Sequence, residues 1–141
     1  MAFVTDASVA GAWVLPDEAS PVATILGRRM LAEGVLVPDL FWHEIRNLLV
    51  LSLKRGRLSA DDFWIQLARL ERMPVRVAPP SPSARILERA IKHGLTAYDA
   101  AYLDLAVAHS MPLATFDRQL RAAAAREGIQ VLPEQVLIET I

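Results

Sequence analysis

Four acidic residues stand where a carboxylate could hold an ion: Asp6, Glu44, Asp99 and Asp117. Asp6 ends the short apolar run Ala2-Phe3-Val4-Thr5, and Asp117 falls two residues after a similar run, Pro112-Leu113-Ala114-Thr115. Glu44 lies inside the heavily apolar Leu40-Phe41-Trp42-His43-Glu44-Ile45, where a charge is costly unless it is partnered. Asp99 follows Thr96 by three residues at the opening of a helix-like segment. Carboxylates gathered at short range cannot all stay ionised alone, because each disfavours its neighbours' charge. A divalent cation is the natural partner. With oxygen ligands only, no cysteine and three scattered histidines, Mg²⁺ or Mn²⁺ is favoured over zinc.

Each acid also has a plainer reading. Asp6 and Asp117 sit where helix N-caps occur, and Thr96-Ala97-Tyr98-Asp99 has the spacing of a capping box. The combination of four is what points to chemistry. Ser8 and Thr115, each two residues from an acid, could donate to a carboxylate or a metal-bound water, or serve as ordinary turn hydroxyls. Asn47 lies one turn beyond Glu44 on the same helix face and could orient that carboxylate or touch substrate. Asp104, five residues past Asp99, falls off that face and is expected in solvent or, at most, behind the residues that would touch an ion. His93 and His109 sit at helix ends, where they favour the dipole, and with His43 they form no cluster. Lys54-Arg55-Gly56-Arg57 is a basic run at a helix end, a solvated cap with phosphate contact as the alternative. Trp13, Trp42 and Trp64 are expected to pack in the core or at an interface.

Bringing the four acids together is a task for the fold. Short apolar runs alternate with longer helix-like segments, the sign of a parallel sheet covered by helices. The expected strands are 2–5, 35–38, 75–77, 112–115 and 129–132. Helices are expected from about 7–14, stopped by Pro16, and over 20–33, 40–55, 60–72, 83–93, 96–109 and 117–127. Ser20-Pro21, Asp39 and Ser59 supply starts, and Gly34, Gly56 and Gly94 supply stops. The expectation is a single domain over 1–141, a three-layer α/β/α fold with a central parallel sheet of about five strands. Ligands bind beyond the carboxyl ends of such strands, and right-handed crossovers would bring all four acids to that edge.

Composition sets limits on partners. A chain of 141 residues that is 53% hydrophobic can bury a core unaided, and the absence of cysteine excludes disulfides, thiolate metal sites and cysteine nucleophiles. The N-terminus has neither the basic start nor the apolar stretch of a signal peptide, and no apolar run approaches the ~20 residues of a membrane helix. A soluble, cytoplasmic protein is expected. A net charge of −1 argues against holding nucleic acid by bulk electrostatics. If cations neutralise the four acids, however, the 15 basic residues outnumber the acids that remain.

Four segments, in order, resemble the PIN-domain family and, within it, the VapC-type ribonuclease toxins of type II toxin–antitoxin pairs. They are Phe3-Val4-Thr5-Asp6-Ala7-Ser8-Val9, Val37 through Asn47, Leu95-Thr96-Ala97-Tyr98-Asp99-Ala100-Ala101-Tyr102, and Leu113-Ala114-Thr115-Phe116-Asp117. The resemblance implies a PIN-like fold and Mg²⁺- or Mn²⁺-dependent hydrolysis of RNA phosphodiester bonds. It makes Asp6, Glu44, Asp99 and Asp117 the metal-site acids, with Asp6 and Asp99 as direct ligands. Glu44 and Asp117 would complete the shell or position metal-bound water, and Ser8, Asn47 and Thr115 match supporting polar positions. It also implies a cognate antitoxin covering the groove and a homodimer. The rival from another class is a catalytically silent PIN-like module that binds a protein partner. Other acid-bearing α/β classes fit poorly. Ser8 stands where a haloacid-dehalogenase-like phosphatase would need a second aspartate, and no Gly-x-Gly-x-x-Gly is present for a dinucleotide. A receiver domain would need an acidic pair and a late lysine that are not visible.

Overall fold

Short, largely apolar runs form the strands of the computed structural model, which describes residues 1–134. They are β1 (Phe3–Thr5), β2 (Val35–Val37), β3 (Val75–Val77), β4 (Leu113–Ala114) and β5 (Val131–Leu132). All pair in parallel, in the order β3-β2-β1-β4-β5. Every residue of β1 and β2 is buried, so both faces of the sheet centre are covered, which explains why these strands are apolar without alternation. The edge strand β3 is instead mostly exposed and carries Arg76, a charge that discourages pairing with another chain.

The helices are α1 (Ala7–Val14), α2 (Pro21–Glu33), α3 (Leu40–Lys54), α4 (Ala60–Glu71), α5 (Ser83–His93), α6 (Ala97–His109) and α7 (Arg118–Arg126). A short 3-10 turn at Pro16–Glu18, not anticipated, follows α1. No helix among the described residues is long and apolar enough to cross a membrane. Ser20, Ser59 and Thr96 cap as expected, each hydroxyl accepting from the N–H three residues on at 3.1 Å. Asp39 does not cap. Its backbone is already helical because the Phe41 N–H closes a turn onto the Pro38 carbonyl, and its side chain accepts no cap bond.

Strand order reverses beside β1: the chain builds outward through β2 and β3, then returns to place β4 on the other flank of β1. Crossovers leaving in opposite directions open a crevice at the carboxyl ends of β1 and β4. Helix α6 packs on both strands and against α5 and α7, and its residues from Ala100 to Ala106 are all buried. That enclosure overturns the solvent placement of Asp104, which is 0% exposed. Arg85 grips it through Nε and Nη2 at 2.7 and 3.0 Å, and Arg89 Nε adds a third bond at 2.8 Å. Burial pushes this carboxyl up, but the bonds from Arg85, Arg89 and Ser81 outweigh burial and hold it below the usual aspartate value. The network continues to Glu127, which meets Arg89, Lys92 and His93. Of the tryptophans, Trp13 is buried and donates to the Ala23 carbonyl, whereas Trp64 is 65% exposed on α4, not packed in the core.

Candidate active site

Asp6 is the residue at which strand β1 becomes helix α1, and it is only 6% exposed. Its Oδ1 accepts from the Val9 N–H at 3.2 Å, the N-cap bond, and from Ser8 Oγ at 2.6 Å. Its Oδ2 accepts from Thr115 Oγ1, a residue 109 positions away that follows β4. The two hydroxyls are themselves held: Ser8 Oγ accepts from the Phe116 N–H at 3.1 Å, and Thr115 Oγ1 from the Asp117 N–H at 3.0 Å. The β1–α1 and β4–α7 turns are thereby locked together. Asp117 caps α7, accepting from the Leu120 N–H at 2.8 Å. Capping and site roles are compatible, because a carboxylate has about four lone-pair positions and a cap uses one.

Glu44 reaches the same crevice from the second turn of α3, half-buried, with Oε1 accepting from the Tyr102 hydroxyl at 2.6 Å. Tyr102 was not singled out from the sequence. It lies one turn beyond Asp99 on α6 and is 1% exposed. The available signal was its spacing from Asp99 together with the need of any buried phenol for a partner. Burial and the adjacent Glu44 push the phenol well above its ordinary value, so it stays a neutral donor. Asp99 stands in the first turn of α6, and among the described residues its carboxylate accepts no hydrogen bond. Asn47 is exposed one turn from Glu44, and the two line a cavity that runs along α3 without bonding to each other.

The electrostatics show that these acids share one field. Burial raises the Asp6 carboxyl, while the Ser8 and Thr115 hydroxyls and the Val9 and Ser8 N–H groups oppose it. Glu44 is raised by burial, moderated by Tyr102, and raised further by the charges of Asp6 and Asp99. Asp99 is raised by burial and then by Asp117 and Asp6. Among the described residues none of the four pairs with a lysine, arginine or histidine. As placed, no three acidic or histidine side chains among them draw close enough to enclose an ion. The donor set itself, oxygen-only and mutually repelling, fits a hard divalent cation.

The site is therefore a carboxylate cluster at the switch point of an all-parallel α/β sheet. The chain belongs to the PIN-domain family, whose domain matches residues 3–126. It is 34% identical to Ribonuclease VapC3 of Pyrobaculum aerophilum over 124 residues, spanning 85% of this chain and 92% of that protein. Its fold is similar to the crystal structure of PAE2754 from Pyrobaculum aerophilum, with a TM-score of 0.69, 24% identity and coverage of 99% and 94% of the two chains. FitAcB from Neisseria gonorrhoeae is also similar, with a TM-score of 0.66, 20% identity and coverage of 92% and 95%. The expected five-stranded parallel α/β fold is thus observed.

Proposed function

We propose that the protein is a divalent-metal-dependent endoribonuclease, the toxin of a toxin–antitoxin pair. The observation that carries this reading is that Asp6, Glu44, Asp99 and Asp117 lie within one another's field at one end of the sheet, with no cationic side chain among the described residues to balance them. Similarity over most of the chain to a protein named Ribonuclease VapC3 supports RNA as the substrate. In this reading the protein works in the cytoplasm, pairs with itself, and is covered at the groove by its antitoxin.

Asp6 and Asp99 would hold Mg²⁺ or Mn²⁺ directly. Asp6 has three of its lone-pair positions occupied by Ser8, Val9 and Thr115, which leaves one for an ion. Glu44, steadied by Tyr102, and Asp117, steadied by its cap bond, would complete the shell or hold a water. The bound ion would supply Lewis acidity toward a phosphate oxygen and a more acidic water.

The direct test is cleavage of a mixed RNA pool with Mg²⁺ or Mn²⁺, and with chelator, for wild type beside Asp99→Asn. Cleavage that needs metal and vanishes in the variant supports the nuclease reading. Absence of both cleavage and metal binding favours the silent binding module.

Two further outcomes follow from the geometry. Removing a charge from a repelling cluster relieves strain, so Asp99→Asn is expected to stabilise the metal-free protein. The gain is about 0.5 kcal/mol, small because the group is partly exposed. Added Mg²⁺ is expected to raise the melting midpoint of wild type but not of the variant, which thermal denaturation with and without chelator checks. Tyr102→Phe keeps the ring and removes the donor to Glu44. It is expected to weaken metal affinity about 10- to 100-fold with the fold intact, read by Mn²⁺ titration followed by electron paramagnetic resonance.

A further inference from the structure

Helix α3 carries one continuous stripe away from the carboxylates. Glu44, Asn47, Leu51, Ser52 and Arg55 recur at helical spacing and line a cavity of about 270 Å³, closed on the other side by Ala7 and, beyond the helix end, by Arg57. The stripe is set close to α1, where a Cβ on Gly11 would lie 3.0 Å from Leu48 Cδ1. The cavity thus has an acidic end, formed by a member of the cluster, and a basic end. From Glu44 to Arg55 the helix rises about 16 Å, so Arg55 cannot reach a phosphate held at the carboxylates and would meet one further along the same strand.

Three observations mark the basic end as built to receive an oxyanion. Arg55, the C-cap residue of α3, is exposed and takes part in no side-chain ion pair among the described residues. Arg57 is held in place by Asp17 at 2.8 and 3.0 Å through Nε and Nη2, and by Glu18 at 2.8 Å through Nη2; its charge is thereby balanced, which leaves its Nη1 as a hydrogen-bond donor and Arg55 as the uncompensated cation. Ser52 Oγ is buried and has no hydrogen-bond partner, the one such side-chain atom among the described residues, and Ser52 lines this cavity. An unpaired buried hydroxyl is costly, and turning the Ser52 side chain toward the cavity that the residue lines would let a ligand oxygen or an ordered water satisfy it.

A polyanion approaching four carboxylates needs cations nearby, and a chain of net charge −1 does not supply them in bulk. We propose that this cleft is a backbone subsite for single-stranded RNA, in which Arg55, with Arg57 at the same end of the cleft, binds a phosphate of the strand that passes the carboxylates. The proposal rests on the ribonuclease reading and extends it from the reacting phosphate to the strand beside it. Arg55 also sits favourably at the negative end of the helix dipole, so a purely capping role predicts no effect on RNA.

The test is fluorescence anisotropy of a labelled mixed-sequence oligoribonucleotide, titrated over a range of salt with chelator present, beside cleavage with Mg²⁺. Arg55→Ala is expected to weaken binding about 5- to 10-fold and to lower the slope of log affinity against log salt by about 0.7, one phosphate contact to a single strand. Arg55→Lys is expected to recover most of both, since a phosphate point contact accepts either cation, and Arg76→Ala on the β3 edge to leave both unchanged. Wild-type affinity and slope in Arg55→Ala and Arg55→Glu, with wild type still cleaving RNA, would overturn the subsite and leave the nuclease reading standing. If wild type neither binds nor cleaves RNA, both fall. If Arg55→Ala loses a polyglutamate peptide but not RNA, the cleft receives an acidic protein segment and the proposal is wrong.

Discussion

Asp6→Asn is expected to reduce metal-dependent RNA cleavage by about 10²- to 10⁴-fold while leaving the protein folded. Asn has nearly the same shape and can still accept from Ser8 and the Val9 N–H. Its amide would face Thr115, whose hydroxyl already accepts from the Asp117 N–H and has a second lone pair to offer. The lock between the two turns therefore survives with one bond reversed, and what is lost is the charge. Single-turnover cleavage with Mg²⁺ beside a circular-dichroism melt measures both quantities. Cleavage within tenfold of wild type would remove Asp6 from any role in holding the ion.

Asp104→Ala is expected to do the opposite: lower stability by about 3–5 kcal/mol without changing the metal affinity of the folded protein. Two guanidinium groups of α5 converge on this carboxylate, and deleting it leaves Arg85 without an ion pair and Arg89, itself 18% exposed, with only the longer 3.4 Å contact to Glu127. A loss of that size lowers the melting midpoint by roughly 10–15 °C in a domain of this length. The effect is pH-dependent, with a definite sign. The Asp104 carboxyl lies lower in the folded chain than its ordinary value of 3.8, so its contribution is complete above that value and is lost as pH falls through the folded one. The stability gap between wild type and Asp104→Asn should therefore be widest near neutrality and close as pH drops below about 4. A gap that widened in acid would mean that the pair is not what holds α5 to α6.

These two substitutions separate carboxylates that look alike in the sequence. Asp99 and Asp104 lie on one helix, five residues apart, and neither carries a local mark of its role. The expectation that Asp104 faces water came from helical periodicity, which assumes that a helix has a wet side. Helix α6 has almost none, because β1, β4, α5 and α7 surround it. Tyr102 escaped notice for a related reason. Its partner Glu44 is 58 residues distant, and spacing along one helix could relate it only to Asp99. Arg57 likewise joined a basic run in the sequence, whereas its charge is engaged by Asp17 and Glu18 about 40 positions earlier.

What the sequence determined by itself is what local chemistry can encode. Short, largely apolar runs marked the strands, cap hydroxyls and glycines bounded most helices, and an acid at the end of a strand or inside an apolar stretch stood out because a charge there needs a reason. The fold class and the four candidate acids were legible on those grounds. Only the tertiary structure decided which acids are answered and by whom. Arginines neutralise Asp104, neutral hydroxyls and N–H groups hold Asp6, Glu44 and Asp117, and no side chain among the described residues donates to the Asp99 carboxylate. The physical reason is that whether a charge is balanced or left in tension depends on groups that strand order brings within a few ångströms from distant parts of the chain, and spacing along the sequence carries no record of that order.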